Sequence, residues 1–261
     1  MEGGSELAGS VQEHALAMAE LFGARLHAVV AWDPEDVEEL NNAGEEDTPE
    51  QMTEPEVSDS LERAEAHGLV CEPTFHGEGV FDALLAEARE SDLLVLGLPV
   101  EGREAESPVA EALLDNGIHL LRKAESSLLV VNSPYSKPTR ILIVYQGGIA
   151  GKSALRAGGT LAEAIGANVT IASFAPRIGE STVLASVAEN YLRAYTIPEV
   201  ESEPQHGEGP EAADISTIAH QRGADFIVFG AEPYGLWESL FGHKTAERLA
   251  LRTRIPVLIA R

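Results

Sequence analysis

Apolar positions along this chain fall into two alternating textures. Short continuous runs of Val, Ile and Leu read as strands buried on both faces, and helix-length stretches with a 3.6-residue period separate them. In the second half the runs predict strands over Arg140–Tyr145, Asn168–Phe174, Val200–Gln205, Asp225–Gly230 and Val257–Ala260, with helices over Ala150–Ile165, Ser181–Ala194, Glu211–Arg222 and Trp237–Arg252. The first half has strand-like runs at Leu26–Ala31, Val70–Phe75, Asp92–Leu96 and Leu128–Val131. Strands alternating with helices predict an α/β fold built on parallel sheets with crossover helices.

The two halves repeat one another. His76-Gly77-Glu78-Gly79 recurs as His206-Gly207-Glu208-Gly209, and the Asp-led run Asp92–Gly97 recurs as Asp225–Gly230. Gly23-Ala24 precedes one strand as Gly166-Ala167 precedes another, and Leu128–Val131 matches Val257–Ala260. The same order in both halves predicts two tandem Rossmann-like domains, residues 1–135 and 136–261. Their linker is the polar, proline-bearing stretch Asn132–Pro138.

One strand has no counterpart. Aligning Gly4 with Gly147 leaves only Met1-Glu2-Gly3 where the second half carries Ile141–Tyr145. The first domain therefore lacks its opening strand: either it keeps a four-stranded remnant, or the chain begins inside a longer polypeptide that supplies the strand. Glu45-Glu46-Asp47-Thr48-Pro49-Glu50 lies in a stretch without Lys or Arg and reads as a solvated, mobile loop.

Charge narrows the function classes. With 18 basic and 43 acidic residues the formal charge is -25, which repels phosphate backbones and anionic lipid surfaces and argues against nucleic-acid partners. The single cysteine, Cys71, excludes an intrachain disulfide. No apolar stretch approaches bilayer-spanning length, so neither membrane insertion nor a secretory leader is expected, and a cytoplasmic location is.

The repeating unit resembles the universal stress protein family. The resemblance rests on Ile141–Gly148 as opening strand and loop, Gly166-Ala167, Ala224–Gly230, and Gly242–Arg248 leading into Ile255–Ile259; Gly3-Gly4-Ser5-Glu6 resembles the tail of the same opening motif. It implies an adenine nucleotide α-hydrolase-like fold and a contact between the last strands of the two units, Leu128–Val131 against Val257–Ala260, as a pseudo-dimer within the chain. It also implies ATP or another adenine nucleotide as a candidate ligand in the second domain. The family's phosphate-binding pattern is Gly-x-x-Gly, nine residues, then Gly and Ser or Thr, in which glycines and helix-start amides receive phosphate oxygens. Here Gly230 fills the first place and Pro233 the second, with Gly235, Gly242, His243, Lys244 and Thr245 following. Gln146 stands where the family has an adenine-contacting Asp, between Tyr145 and Gly147. Those nine residues, Tyr145, Gln146, Gly147, Gly230, Gly235, Gly242, His243, Lys244 and Thr245, form the candidate site.

Rival motifs have plainer readings. Gly147–Ser153 resembles a phosphate-binding loop, but Gln146 occupies a required glycine position, so an ordinary strand-to-helix turn with Lys152 exposed is expected. The histidines show no metal-ligand spacing, and no catalytic residue is assigned. Tyr234–Phe241 is an aromatic cluster that suits a core or a protein partner. The expected role is regulation or ligand sensing rather than catalysis, in a protein that self-associates or pairs its own halves. The alternatives are a cytoplasmic regulatory region of a larger protein such as a secondary transporter, acting through protein contacts without ATP, and a nucleotide-hydrolysing enzyme using the Lys152 loop.

Overall fold

The computed structural model describes residues 2–32, 49–77, 79–98, 117–207, 209–231 and 242–261. In the first half these form α1 (Glu2–Phe22), β1 (Leu26–Ala31), α2 (Pro49–Ala66), β2 (Cys71–His76), α3 (Val80–Glu90), β3 (Leu93–Gly97) and β4 (Ser127–Val131). The second half supplies β5 (Arg140–Tyr145), α4 (Gly148–Ile165), β6 (Asn168–Ala175), α5 (Ile178–Leu192), β7 (Val200–His206), α6 (Ala212–Arg222), β8 (Phe226–Gly230), α7 (Gly242–Arg252) and β9 (Val257–Ala260).

Seven strands make one sheet in the order β3-β4-β9-β8-β5-β6-β7. All neighbours run parallel except β4 and β9, where Leu128 faces Ile259, Leu129 faces Leu258 and Val130 faces Val257 in antiparallel register. The contact expected between the last strands of the two repeats is therefore present within the chain. Helices cover both faces, so the central strands carry apolar residues at every position: Ile141, Leu142 and Ile143 are all fully buried. Odd positions of β5 pack with Leu155 and Ala188 on one side, and even positions pack with Ile215 and Leu249 on the other.

Side chains also bridge the junction. Arg122, on a short helix over 117–123, donates to Glu247 of α7 through Nε at 2.6 Å and Nη2 at 2.9 Å. Asn132, just past β4, donates to the carbonyls of Ala250 and Thr253 at the end of α7, where a helix leaves acceptors unpaired. Arg261, last in the chain, reaches back to the Leu121 carbonyl at 2.6 Å.

The first half does not hold its four strands in one sheet. β1 and β2 pair only with each other, while β3 and β4 extend the sheet of the second half. The reason lies in the repeat. In the second half β5 sits between β8 and β6, and its counterpart between β3 and β1 has no strand among the described residues. A second difference concerns Pro49 and Glu50, read from sequence as part of a mobile loop. They begin α2 instead, with Pro49 at the first helical position, where a missing N–H costs nothing. The acidic surface of α2 hid its period, since only Val57 and Ala64 are buried apolar residues among those whose side chains are described.

Candidate functional site

Open parallel sheets bind ligands beyond the carboxyl ends of the strands, at the place where successive crossovers diverge. In the second half that place lies between β5, which connects through α4 to β6, and β8 on its other side. The loops after Tyr145 and Gly230 therefore lie side by side, as the parallel register of Val144 with Phe229 requires.

The contact is close. A Cβ on Gly230 would fall 1.9 Å from the Ala150 carbonyl oxygen, so the first turn of α4 leans directly over the end of β8. The glycine read as a place for phosphate thus has a packing reason of its own: the helix backbone occupies the volume that a side chain would need.

Tyr145 and Gln146 part company at the strand end. The Tyr145 ring turns inward beneath Gly151, whose Cβ would lie 2.9 Å from it, and burial raises the phenol above its ordinary value of 10.0. Only the backbone of Tyr145 faces the loop. The Gln146 side chain is exposed at the mouth, where its amide offers both a donor and an acceptor.

Gly147 and Gly148 then start α4 with φ of 80° and 67°, a left-handed pair that a β-carbon would oppose. No side chain caps this helix start, the first turn carries no acid, and the position of Gly148 looks onto open space. Lys152 is exposed one turn along. Only Gln146 and Gly147 separate strand from helix, which is the short turn expected in place of a longer phosphate-wrapping loop.

The other described candidates belong to α7. Gly242, His243, Lys244 and Thr245 form the first turn of α7. Thr245 is buried, and its hydroxyl donates to the Pro210 carbonyl at 2.9 Å, tying that turn to the loop after β7. Gly235 and the aromatic cluster Tyr234–Phe241 lie outside the described residues. The structure thus joins Gly230 to the helix that Gly147 opens, and Thr245 to the loop carrying Gly207 and Gly209. A cleft of about 600 Å³ lies elsewhere, between α1 and the linker, and is lined by Leu21, Tyr135, Lys137 and Ile165.

Sequence reasoning gave Asp225 no role beyond leading its strand. Its carboxylate accepts from the backbone N–H groups of Thr139 and Arg140 at 3.0 Å, and from the Thr139 hydroxyl at 2.6 Å. This clamp sets the start of β5 and so the height at which Gln146 emerges. The only sign in the sequence was its recurrence as Asp92.

Residues 137–261 match the model of the Universal stress protein family. This half of the chain belongs to that family. Solved universal stress proteins extend the likeness in fold to the rest. One from Archaeoglobus fulgidus aligns over 100% of this chain and 95% of its own, with a TM-score of 0.72 and 15% identity. A putative universal stress protein from Pseudomonas aeruginosa aligns over 95% of this chain and 86% of its own, with a TM-score of 0.63 and 14% identity. The cytoplasmic domain of a prokaryotic cation chloride cotransporter covers 91% of this chain and 95% of its own, but its TM-score of 0.44 at 15% identity carries no weight. No curated protein matches the sequence. At these identities the likeness establishes a universal stress protein fold, and the chemistry rests on this chain's own residues. Among the described residues, no helix is long and apolar enough to cross a membrane, and no group of His, Cys, Asp and Glu is placed to hold a metal ion.

Proposed function

We propose that the universal stress protein domain of this chain is a regulatory module that senses an adenine nucleotide in the crevice beyond β5 and β8. The observation that supports this most directly is the start of α4. In a chain of formal charge -25, it is a helix N-terminus with no side-chain cap and no acid in its first turn. Unpaired amides and the positive end of the helix dipole favour an anion there.

In this reading the exposed Gln146 amide meets the base or ribose. The phosphates lie toward Gly147, Gly148 and Lys152, with the first turn of α7, Gly242 to Thr245, as the second wall. The role is binding and signalling rather than turnover. We place the boundary between the two repeats in the segment 132–138, so that ligand occupancy is felt by the first half through the β4–β9 junction.

Isothermal titration of the full chain with ATP, ADP and AMP, each with and without magnesium, tests the proposal. Saturable binding of at least one nucleotide, weakened about tenfold by Gln146→Ala or Lys152→Ala, is the expected result; each substitution removes one hydrogen-bonding or charged contact. Absence of binding by all three would replace this reading with that of a ligand-free interaction module.

A further inference from the structure

The cleft of about 600 Å³ beside α1 has the volume of a small-molecule site and lies where the two repeats meet. α1 lines it with one helix face, since Glu13, Leu16, Glu20 and Leu21 recur at the spacing that brings side chains to the same side. Opposite them come Ile165, the last residue of α4, and Tyr135 and Lys137 of the segment 132–138. α1 and α4 are equivalent helices, stopping at Gly23-Ala24 and Gly166-Ala167. The cleft therefore belongs to the joined repeats and has no copy within either one. Its apolar part is Leu16, Leu21 and Ile165, of which Leu16 is buried and the other two half-buried.

The polar groups around that apolar part carry both signs. Tyr135 is half-buried, its ring held edge-on to His14 at 5.1 Å between centroids. Burial, and then the charge of Glu20, raise its phenol above the ordinary value of 10.0, so the group is a hydrogen-bond donor at neutral pH. Among the described residues no hydrogen bond engages that hydroxyl, and the exposed Lys137 and Glu13 make no ion pair. Glu20 Oε1 lies 2.5 Å from His67 Nδ1, which holds the carboxylate at the rim. Since the Glu20 charge is felt at the Tyr135 oxygen, an acceptor and a donor stand near one another. A ligand of a single sign meets repulsion here: an anion faces Glu13 and Glu20, and a cation faces Lys137. A molecule that carries both charges close together on an apolar body answers every group.

We propose that this cleft binds a small apolar zwitterion, the chemistry of a free aliphatic or aromatic amino acid. Its carboxylate is received by Lys137 and the Tyr135 hydroxyl, its ammonium by Glu20 with Glu13 behind it, and its side chain lies on Leu21 and Ile165. Charge-assisted hydrogen bonds fix the head, and removal of the apolar side chain from water adds affinity. Because α1, α4 and the segment 132–138 all touch the ligand, its binding ties the two repeats together away from the β4–β9 seam. The inference is independent of nucleotide binding in the crevice beyond β5 and β8.

Isothermal titration of the full chain near neutral pH tests this with leucine and phenylalanine against three partial analogues. Glycine lacks the apolar side chain, 3-methylbutylamine lacks the carboxylate, and 4-methylpentanoate lacks the ammonium. At least one of the two amino acids should bind saturably, one per chain, and at least about tenfold more tightly than any analogue. Lys137→Gln, at an exposed position, should weaken amino-acid binding about tenfold and bring leucine close to 3-methylbutylamine in affinity. The methyl resonance of Met18, which also lines the cleft, should shift on saturation and so place the ligand. Failure of both amino acids to bind would overturn the proposal. So would equal binding of any analogue, an unchanged affinity in Lys137→Gln, or saturation that leaves the Met18 resonance where it was.

Discussion

Arg122 and Glu247 form a two-pronged ion pair across the boundary between the repeats, with the guanidinium Nε and Nη2 at 2.6 and 2.9 Å from the two carboxylate oxygens. Glu247 is the more buried partner, its side chain 12% exposed against 38% for Arg122. Truncating the arginine therefore leaves a largely desolvated carboxylate without its main counter-charge. We expect Arg122→Ala to lower stability by about 2 kcal/mol, measured by chemical denaturation. Truncating both partners, with Glu247→Leu added, should cost less than Arg122→Ala alone. If the double variant is the less stable one, the pair does not act as a unit.

Gly230→Ala is expected to be among the more damaging single-methyl substitutions in the second half. The added carbon would lie 1.9 Å from the Ala150 carbonyl oxygen, a backbone atom that moves only if α4 shifts. Such overpacking costs about 2 kcal/mol or more. The accompanying tilt of α4 would displace the Gly147 turn, so thermal unfolding and nucleotide titration should change together. Gly209→Ala, which meets nothing within 4 Å, serves as the control for methyl addition on a neighbouring loop.

Asn132→Ala removes both side-chain bonds at the end of α7, to Ala250 and to Thr253. Loss of this cap should destabilise the chain by about 1 kcal/mol. Amide exchange should quicken over the last turn of α7 while the seven-stranded sheet remains protected.

His14 makes stability depend on pH in a definite direction. It is buried on α1, bonded through Nδ1 to the Ser10 carbonyl at 2.8 Å and edge-on to Tyr135 at 5.1 Å between ring centroids. Burial lowers its pKa below the ordinary 6.5, outweighing the Ser10 bond and the charge of Glu13, which act the other way. The unfolded chain thus takes up this proton more readily than the folded one. Its contribution to stability is complete above 6.5 and declines as pH falls through that value. His14→Phe keeps the aromatic contact and removes the titration, so the variant should lose less stability than the parent between about pH 7 and pH 5. Equal losses in denaturation curves would assign the acid sensitivity to other groups.

Much of this arrangement could be read from the chain alone because it was written twice. The matched runs Leu128–Val131 and Val257–Ala260 marked equivalent strands, whose meeting was implied only by the family resemblance, and the absence of a partner for Ile141–Tyr145 marked the missing one. Its consequence for the sheet was not legible. Leu26–Ala31 and Asp92–Leu96 look alike as sequences whether or not a neighbour lies between them, since pairing is non-local and each strand shows only its own pattern. For the site, proximity of the loops after Tyr145 and Gly230 followed from the fold, but the inward turn of Tyr145 and the engagement of the Thr245 hydroxyl by Pro210 depend on packing distances that residue spacing does not encode.

The antiparallel meeting of β4 and β9 sets a direction as well as a contact. Every strand from β9 to β7 ends facing one way, and β3 and β4 end facing the opposite way, so the rims where loops collect lie at opposite poles of a shared sheet. Two ligands, one per repeat, would never touch or compete. Any message between them would have to cross the β4–β9 seam or the side chains that bridge it.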